Sequence, residues 1–150
     1  MKTIHHLLFV QATPDKIWWA LTEPEGMRGW WTTTVDAPKA GVGTMTTWTF
    51  EGDFNPVMET TTFEPNTSLD WRCVDGHEPW NNNSFKFQLA GLDKDRSQVR
   101  FWQEYAVELA DDYYGSYNYN WGYYLESLRL LCETGTGKPF GGSQPGYRVS

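Results

Sequence analysis

Ala12-Thr13-Pro14-Asp15-Lys16-Ile17-Trp18-Trp19-Ala20-Leu21-Thr22-Glu23-Pro24-Glu25-Gly26-Met27-Arg28-Gly29-Trp30-Trp31 is the stretch on which the reading of this chain turns. Thr13 stands where a helix N-cap belongs, and Pro14 follows at the first helical position, where its missing N–H costs nothing. Asp15 complements the dipole of that first turn, and Ile17, Trp18 and Leu21 supply a buried stripe. Thr22 and Glu25 then have the spacing of a capping box. Met27, Trp30 and Trp31 recur at helical spacing behind it. The stretch predicts two short helices in direct succession.

On its N-terminal side, Ile4 to Gln11 is apolar, short and bounded by a turn signal, which predicts a strand. On its C-terminal side, Gly41 to Leu109 is rich in Thr, Val and aromatic residues broken by turn clusters. Strands are expected near Thr44–Phe50, Val57–Glu64, Ser68–Val74, Asn83–Leu89 and Gln98–Leu109. In the last two the alternation is clean. Phe85, Phe87 and Leu89 oppose Lys86 and Gln88, while Val99, Phe101, Gln103 and Tyr105 oppose Arg100 and Glu104, as in a sheet with one buried face.

The run Tyr113-Tyr114-Gly115-Ser116-Tyr117-Asn118-Tyr119-Asn120 shows no period and reads as a loop. Trp121, Leu125, Leu128 and Cys132 then mark a long amphipathic helix, with Gly135 and Pro139 as its stop. The tail from about Gly141 is polar, Gly-rich and expected to be flexible. No repeat or second domain is visible, so residues 1–150 read as one domain.

Composition narrows the function classes. Nine Trp, eight Tyr and eight Phe exceed what a small core needs, so some rings are expected to line a cavity or lie on the surface. Twelve Lys and Arg against nineteen Asp and Glu give a net charge of -7, without the basic excess that nucleic acid or anionic membrane requires. The apolar run Leu7-Leu8-Phe9-Val10 is too short to span a bilayer and lacks the flanks of a signal peptide. Cys73 and Cys132, far apart and each in apolar context, read as buried free thiols of a cytoplasmic protein.

The order of these elements resembles that of the START-like (helix-grip, SRPBCC) superfamily. Ala12 to Trp18, Leu21 to Glu25 and Trp30-Trp31 resemble the opening of the heat-shock-chaperone ATPase activator homologue family. Phe63-Glu64-Pro65 with Leu69-Asp70-Trp71 is similar to its central strand pair. Trp121-Gly122, Leu125-Glu126-Ser127-Leu128 and Glu133-Thr134-Gly135-Thr136-Gly137 are similar to its last helix and exit. The resemblance implies an α+β fold: a curved antiparallel sheet of six or seven strands around a long C-terminal helix, with two short helices after the first strand. Members of the superfamily bind lipids, hormones, polyketides or chaperones, so fold alone does not give function.

Few motifs suggest chemistry. Gly135-Thr136-Gly137-Lys138 follows a helix and continues into Pro139, whereas a phosphate-binding loop precedes a helix and carries Ser or Thr after the Lys; it reads as a helix C-cap. Cys73 and His77 form one close Cys/His pair where a structural zinc needs two, so no metal or other cofactor is expected. His5 and His6 lie on one strand, one inward and one outward, and nothing identifies a nucleophile or an orienting carboxylate for the inward ring. Glu59 shares a face with Val57, Thr61 and Phe63. If that is the inner face, Glu59 is a polar contact of the cavity or the partner of Arg129; a register shift of one residue places it in solvent. Tyr113 to Tyr124 offers a carbohydrate platform or, more simply, a loop whose rings cover the cavity mouth or pack on the adjacent tryptophans.

Together these features point to non-enzymatic binding of a small hydrophobic or aromatic molecule. The cavity would lie between the inner sheet face and the last helix, lined by Glu59, Trp71, Phe85, Phe87, Phe101, Gln103, Tyr105, Trp121, Leu125 and Leu128. The alternatives are a chaperone-binding or other protein-interaction module, as monomer or homodimer, and an enzyme of the polyketide cyclase kind. No residue is assigned a catalytic role, and neither nucleic-acid binding nor membrane insertion is expected.

Overall fold

The computed structural model describes residues 2–52 and 54–142. β1 (Thr3–Val10) turns Ile4, His6, Leu8 and Val10 inward and leaves Thr3, His5, Leu7 and Phe9 outside. α1 (Pro14–Thr22) begins with proline at its first turn and buries Ile17, Trp18, Ala20 and Leu21. Thr13 is extended as a cap should be, although its side chain makes no capping bond.

The capping box expected from Thr22 does not form. A residue before proline is pushed out of the helical region, and Glu23, at φ -98° and ψ 139°, therefore takes the cap position of α2 (Pro24–Arg28). Thr22 remains in α1, its hydroxyl donating to the Trp18 carbonyl at 2.7 Å. Gly26 allows the two helices to abut, since a Cβ there would lie 2.4 Å from the Trp19 carbonyl oxygen. Trp30 and Trp31, expected within the second helix, follow its end, and both are fully buried.

The remaining strands are β2 (Thr34–Asp36), β3 (Met45–Thr49), β4 (Val57–Glu64), β5 (Ser68–Asp75), β6 (Ser84–Asp93) and β7 (Arg96–Glu104). They join β1 in one antiparallel seven-stranded sheet of order β1-β7-β6-β5-β4-β3-β2. β2 was not anticipated, and β7 ends at Glu104 rather than Leu109. A single 3-10 turn, Glu78–Trp80, links β5 to β6.

The last helix, α3, spans Asp111–Thr134, so the segment read as a loop is its first turns. Two acids occupy the first turn, and the buried stripe of Trp121, Tyr124, Leu125 and Leu128 extends backward through Tyr117 and Asn120. That stripe outweighs the weak helix propensity of Gly115 and the asparagines. Gly135 closes the helix as expected, in the left-handed conformation with φ 88°, its N–H bonded to the Leu131 carbonyl. The chain then doubles back. Ser127 Oγ donates to the Trp30 carbonyl at 2.8 Å and accepts the Lys138 N–H at 2.6 Å. Phe140 exchanges backbone bonds with Trp31 and Thr33. Gly141 and Gly142 begin the tail expected to be flexible, and residues 143–150 lie outside those described.

Among the described residues no helix is long and apolar enough to cross a membrane.

Candidate functional site

The inner sheet face and α3 converge on one aromatic layer. Trp71 from β5, Phe85 and Phe87 from β6, Phe101 and Gln103 from β7, and Tyr105 just beyond it are all at most 3% exposed. Trp121, Leu125 and Leu128 meet them from α3, equally buried. Ring centroids lie 4.3 Å apart for Phe101 and Trp121, 5.0 Å for Phe87 and Phe101, and 5.1 Å for Trp71 and Phe87. The structure thus gathers nine of the ten residues expected to face the interior.

Glu59 is the exception. The β4–β5 register slips between Thr60 and Thr62, so both Thr60 and Phe63 face inward although three positions separate them. Counting back by twos from Phe63 crosses this bulge and lands Glu59 on the wrong face. Its carboxylate is outside, 2.9 Å from the Arg72 guanidinium, and the expected partner Arg129 instead binds Glu126 and Glu133.

Other residues share the interior. Trp31 stands at its centre, 4.7 Å from Trp48, 5.0 Å from Trp121 and 5.1 Å from Phe50. Gln103 is committed to its neighbours: its side-chain carbonyl accepts the Trp121 indole N–H at 2.7 Å, and its amide donates to Asn83 Oδ1 at 2.9 Å. Trp30 donates its indole N–H to the Ala20 carbonyl at 2.7 Å.

One corner is different. Where the 3-10 turn meets the start of α3, Trp80, His77, Tyr105 and Tyr117 come together against Phe54. Phe54 lies edge-on to His77 at 4.8 Å and to Trp80 at 5.1 Å. Tyr105 and Tyr117 stack at 6.2 Å, and the Tyr117 hydroxyl is 2.9 Å from His77 Nε2. Trp80 Nε1, the Tyr105 hydroxyl and His77 Nδ1 are buried without a well-formed hydrogen bond to the protein; Trp48 Nε1 is a further such atom in the aromatic layer. Burial lowers the pKa of His77 and, assisted by the Tyr117 phenol, raises that of Tyr105. Burial likewise raises Tyr117, with Tyr113 adding to it. The imidazole is therefore held toward its neutral form and both phenols toward their protonated forms.

Sequence reading missed this corner. Trp80 sits in a turn with no period to assign it, and Tyr117 lay in the supposed loop, although it stands four residues before Trp121 on the same helical stripe.

The two histidines of β1 divide as expected. His5 is outside, stacked on Trp102 at 4.8 Å, and His6 points inward, its pKa lowered by burial. Cys73 and Cys132 are free and buried, and burial pushes their thiols up to about 11 and about 12. Among the described residues no cluster of His, Cys, Asp or Glu could hold a metal ion.

Comparison with known proteins agrees with this architecture. The family model of activator of Hsp90 ATPase homolog 1-like proteins matches residues 11–133. The Aha1 dimer from Colwellia psychrerythraea, solved in solution, is 32% identical, with a TM-score of 0.77 over 91% of this chain and 100% of that one. Protein MLL2253 from Mesorhizobium loti is 22% identical, with a TM-score of 0.73 over 87% of this chain and 96% of that one. Norcoclaurine synthase from Thalictrum flavum, in complex with dopamine and hydroxybenzaldehyde, is 21% identical, with a TM-score of 0.55 over 69% of this chain and 68% of that one. Among curated proteins none matches the chain.

Proposed function

The chain belongs to the activator of Hsp90 ATPase homolog 1-like family, and from that premise we propose that it binds a small hydrophobic or aromatic molecule between its sheet and α3, without transforming it. The observation that carries this reading is the set of buried polar atoms without a well-formed hydrogen bond in an aromatic interior. A core evolved only for stability satisfies or excludes such groups, because each costs about 1–3 kcal/mol when unpaired. A binding site keeps them for a ligand. Norcoclaurine synthase, an enzyme of related fold, is likewise solved in complex with two small aromatic molecules.

Native mass spectrometry of freshly purified protein tests the reading. A co-purified small molecule that disappears on denaturation is expected, together with brightening of an apolar fluorescent probe. A bare protein mass in repeated preparations, with no response from the probe, contradicts it.

A second reading, association with a protein or a second copy, has its own support. β1 is an edge strand, and its outer face exposes Leu7 at 44% and Phe9 at 53%. An unpaired edge with apolar side chains favours pairing with another chain, and the relative from Colwellia psychrerythraea is a dimer. Phe9→Ser should then convert a dimer to monomer in sedimentation; a wild-type protein already monomeric at high concentration argues against self-association.

A further inference from the structure

The partnerless atoms are not chemically neutral in what they ask for. An indole N–H is a donor with no acceptor capacity, so Trp80 Nε1, fully buried, can be satisfied by an acceptor alone. The Tyr105 hydroxyl is near enough to Trp80 and Gln103 for both to bias its proton, yet it completes no well-formed bond with either. Gln103 is already held by Trp121 and Asn83. Trp80 and Tyr105 thus share an imperfect contact, and each keeps a proton that an added acceptor could hold better.

The surroundings restrict the acceptor further. Phe54, His77 and Tyr117 wall the corner with rings, presenting edges to Trp80 at 88° for Phe54 and 69° for Tyr117. Burial is the main influence on the protons of His77, Tyr105 and Tyr117, neighbouring phenols add to it at the two tyrosines, Trp80 and Gln103 oppose it at Tyr105, and among the described residues no cation contributes. A carboxylate placed here would be a buried charge without a counter-ion, which is costly. A neutral carbonyl on an aromatic body meets both constraints.

Building on the binding function proposed above, we infer that the corner formed by Trp80, Tyr105, His77 and Tyr117 is the polar end of the ligand site and selects small aromatic molecules carrying a neutral carbonyl acceptor.

The test titrates the full chain by calorimetry with three probes of similar size: acetophenone, ethylbenzene and benzoate. Acetophenone should bind at least about tenfold more tightly than either of the others, equivalent to about 1.4 kcal/mol. Tyr105→Phe and Trp80→Phe should each reduce the preference for acetophenone over ethylbenzene severalfold; Tyr105→Phe keeps the ring, so the test survives if Trp80→Phe fails to fold. Equal binding of acetophenone and ethylbenzene, a preference for benzoate, or an undiminished preference in folded variants overturns this inference and leaves the binding function standing. No binding of any of the three overturns both.

Discussion

Trp30 and Trp80 are both fully buried indoles, joined through Trp31 at 5.8 and 6.2 Å, and they differ in where the N–H goes. Trp30 donates to the Ala20 carbonyl, and its own carbonyl accepts from Ser127, which also holds the chain returning from α3. These bonds close the fold on that side, although Trp48, 5.9 Å from Trp30, leaves its own Nε1 without one. At Trp80 the indole and the neighbouring Tyr105 hydroxyl close nothing. Equal burial therefore conceals two kinds of region: one in which hydrogen bonds tie α1, α3 and the exit segment together, and one in which donors are kept at a stability cost. The first is scaffold, and the second is where a ligand has something to gain.

Removing the bridge between the two regions should have the largest effect. Trp121→Ala deletes a ring that packs on Phe101 and Trp31 and leaves the Gln103 carbonyl without its donor. Chemical denaturation should show a loss of about 3–5 kcal/mol. An unchanged midpoint would mean that the aromatic layer does not hold sheet and helix together.

Ser127→Ala attacks the scaffold side alone. It leaves the Trp30 carbonyl and the Lys138 N–H unpaired, and the expected cost is about 1–3 kcal/mol by the same measurement. A neutral result would remove the contrast, since the Trp30 region would then tolerate unpaired groups as the Trp80 region does.

The smallest effect is expected outside both. Glu59→Gln breaks a partly exposed ion pair with Arg72 and should cost less than about 1 kcal/mol, with probe binding unaltered. A marked loss of binding would restore Glu59 to the interior that the β4 bulge denies it.

These regions were unequally legible in the sequence. The helix start at Pro14, the succession of two short helices, the alternation of β6 and β7, and the glycine stop of α3 are local patterns, and they identify the scaffold. The bulge at Thr60–Thr62 leaves no such mark, so the phase of β4 was lost and Glu59 with it. Tyr117 was hidden by composition: Gly115, Asn118 and the tyrosines argue against a helix one residue at a time, while the stripe through Trp121, Tyr124 and Leu128 argues for it. Trp80, in a turn, acquires its environment wholly from long-range packing. The candidate ligand corner joins a turn residue to a residue of the supposed loop, His77 to Tyr117, and neither segment carried a readable period.

The contrast between satisfied and unsatisfied indoles can be read directly by heteronuclear NMR of the tryptophan side-chain N–H signals during titration with acetophenone. The Trp80 signal should move strongly, as its N–H acquires an acceptor, while those of Trp30 and Trp121, already bonded within the protein, stay nearly still. A Trp80 signal that does not move as acetophenone binds, or equal shifts at all three, would contradict the account.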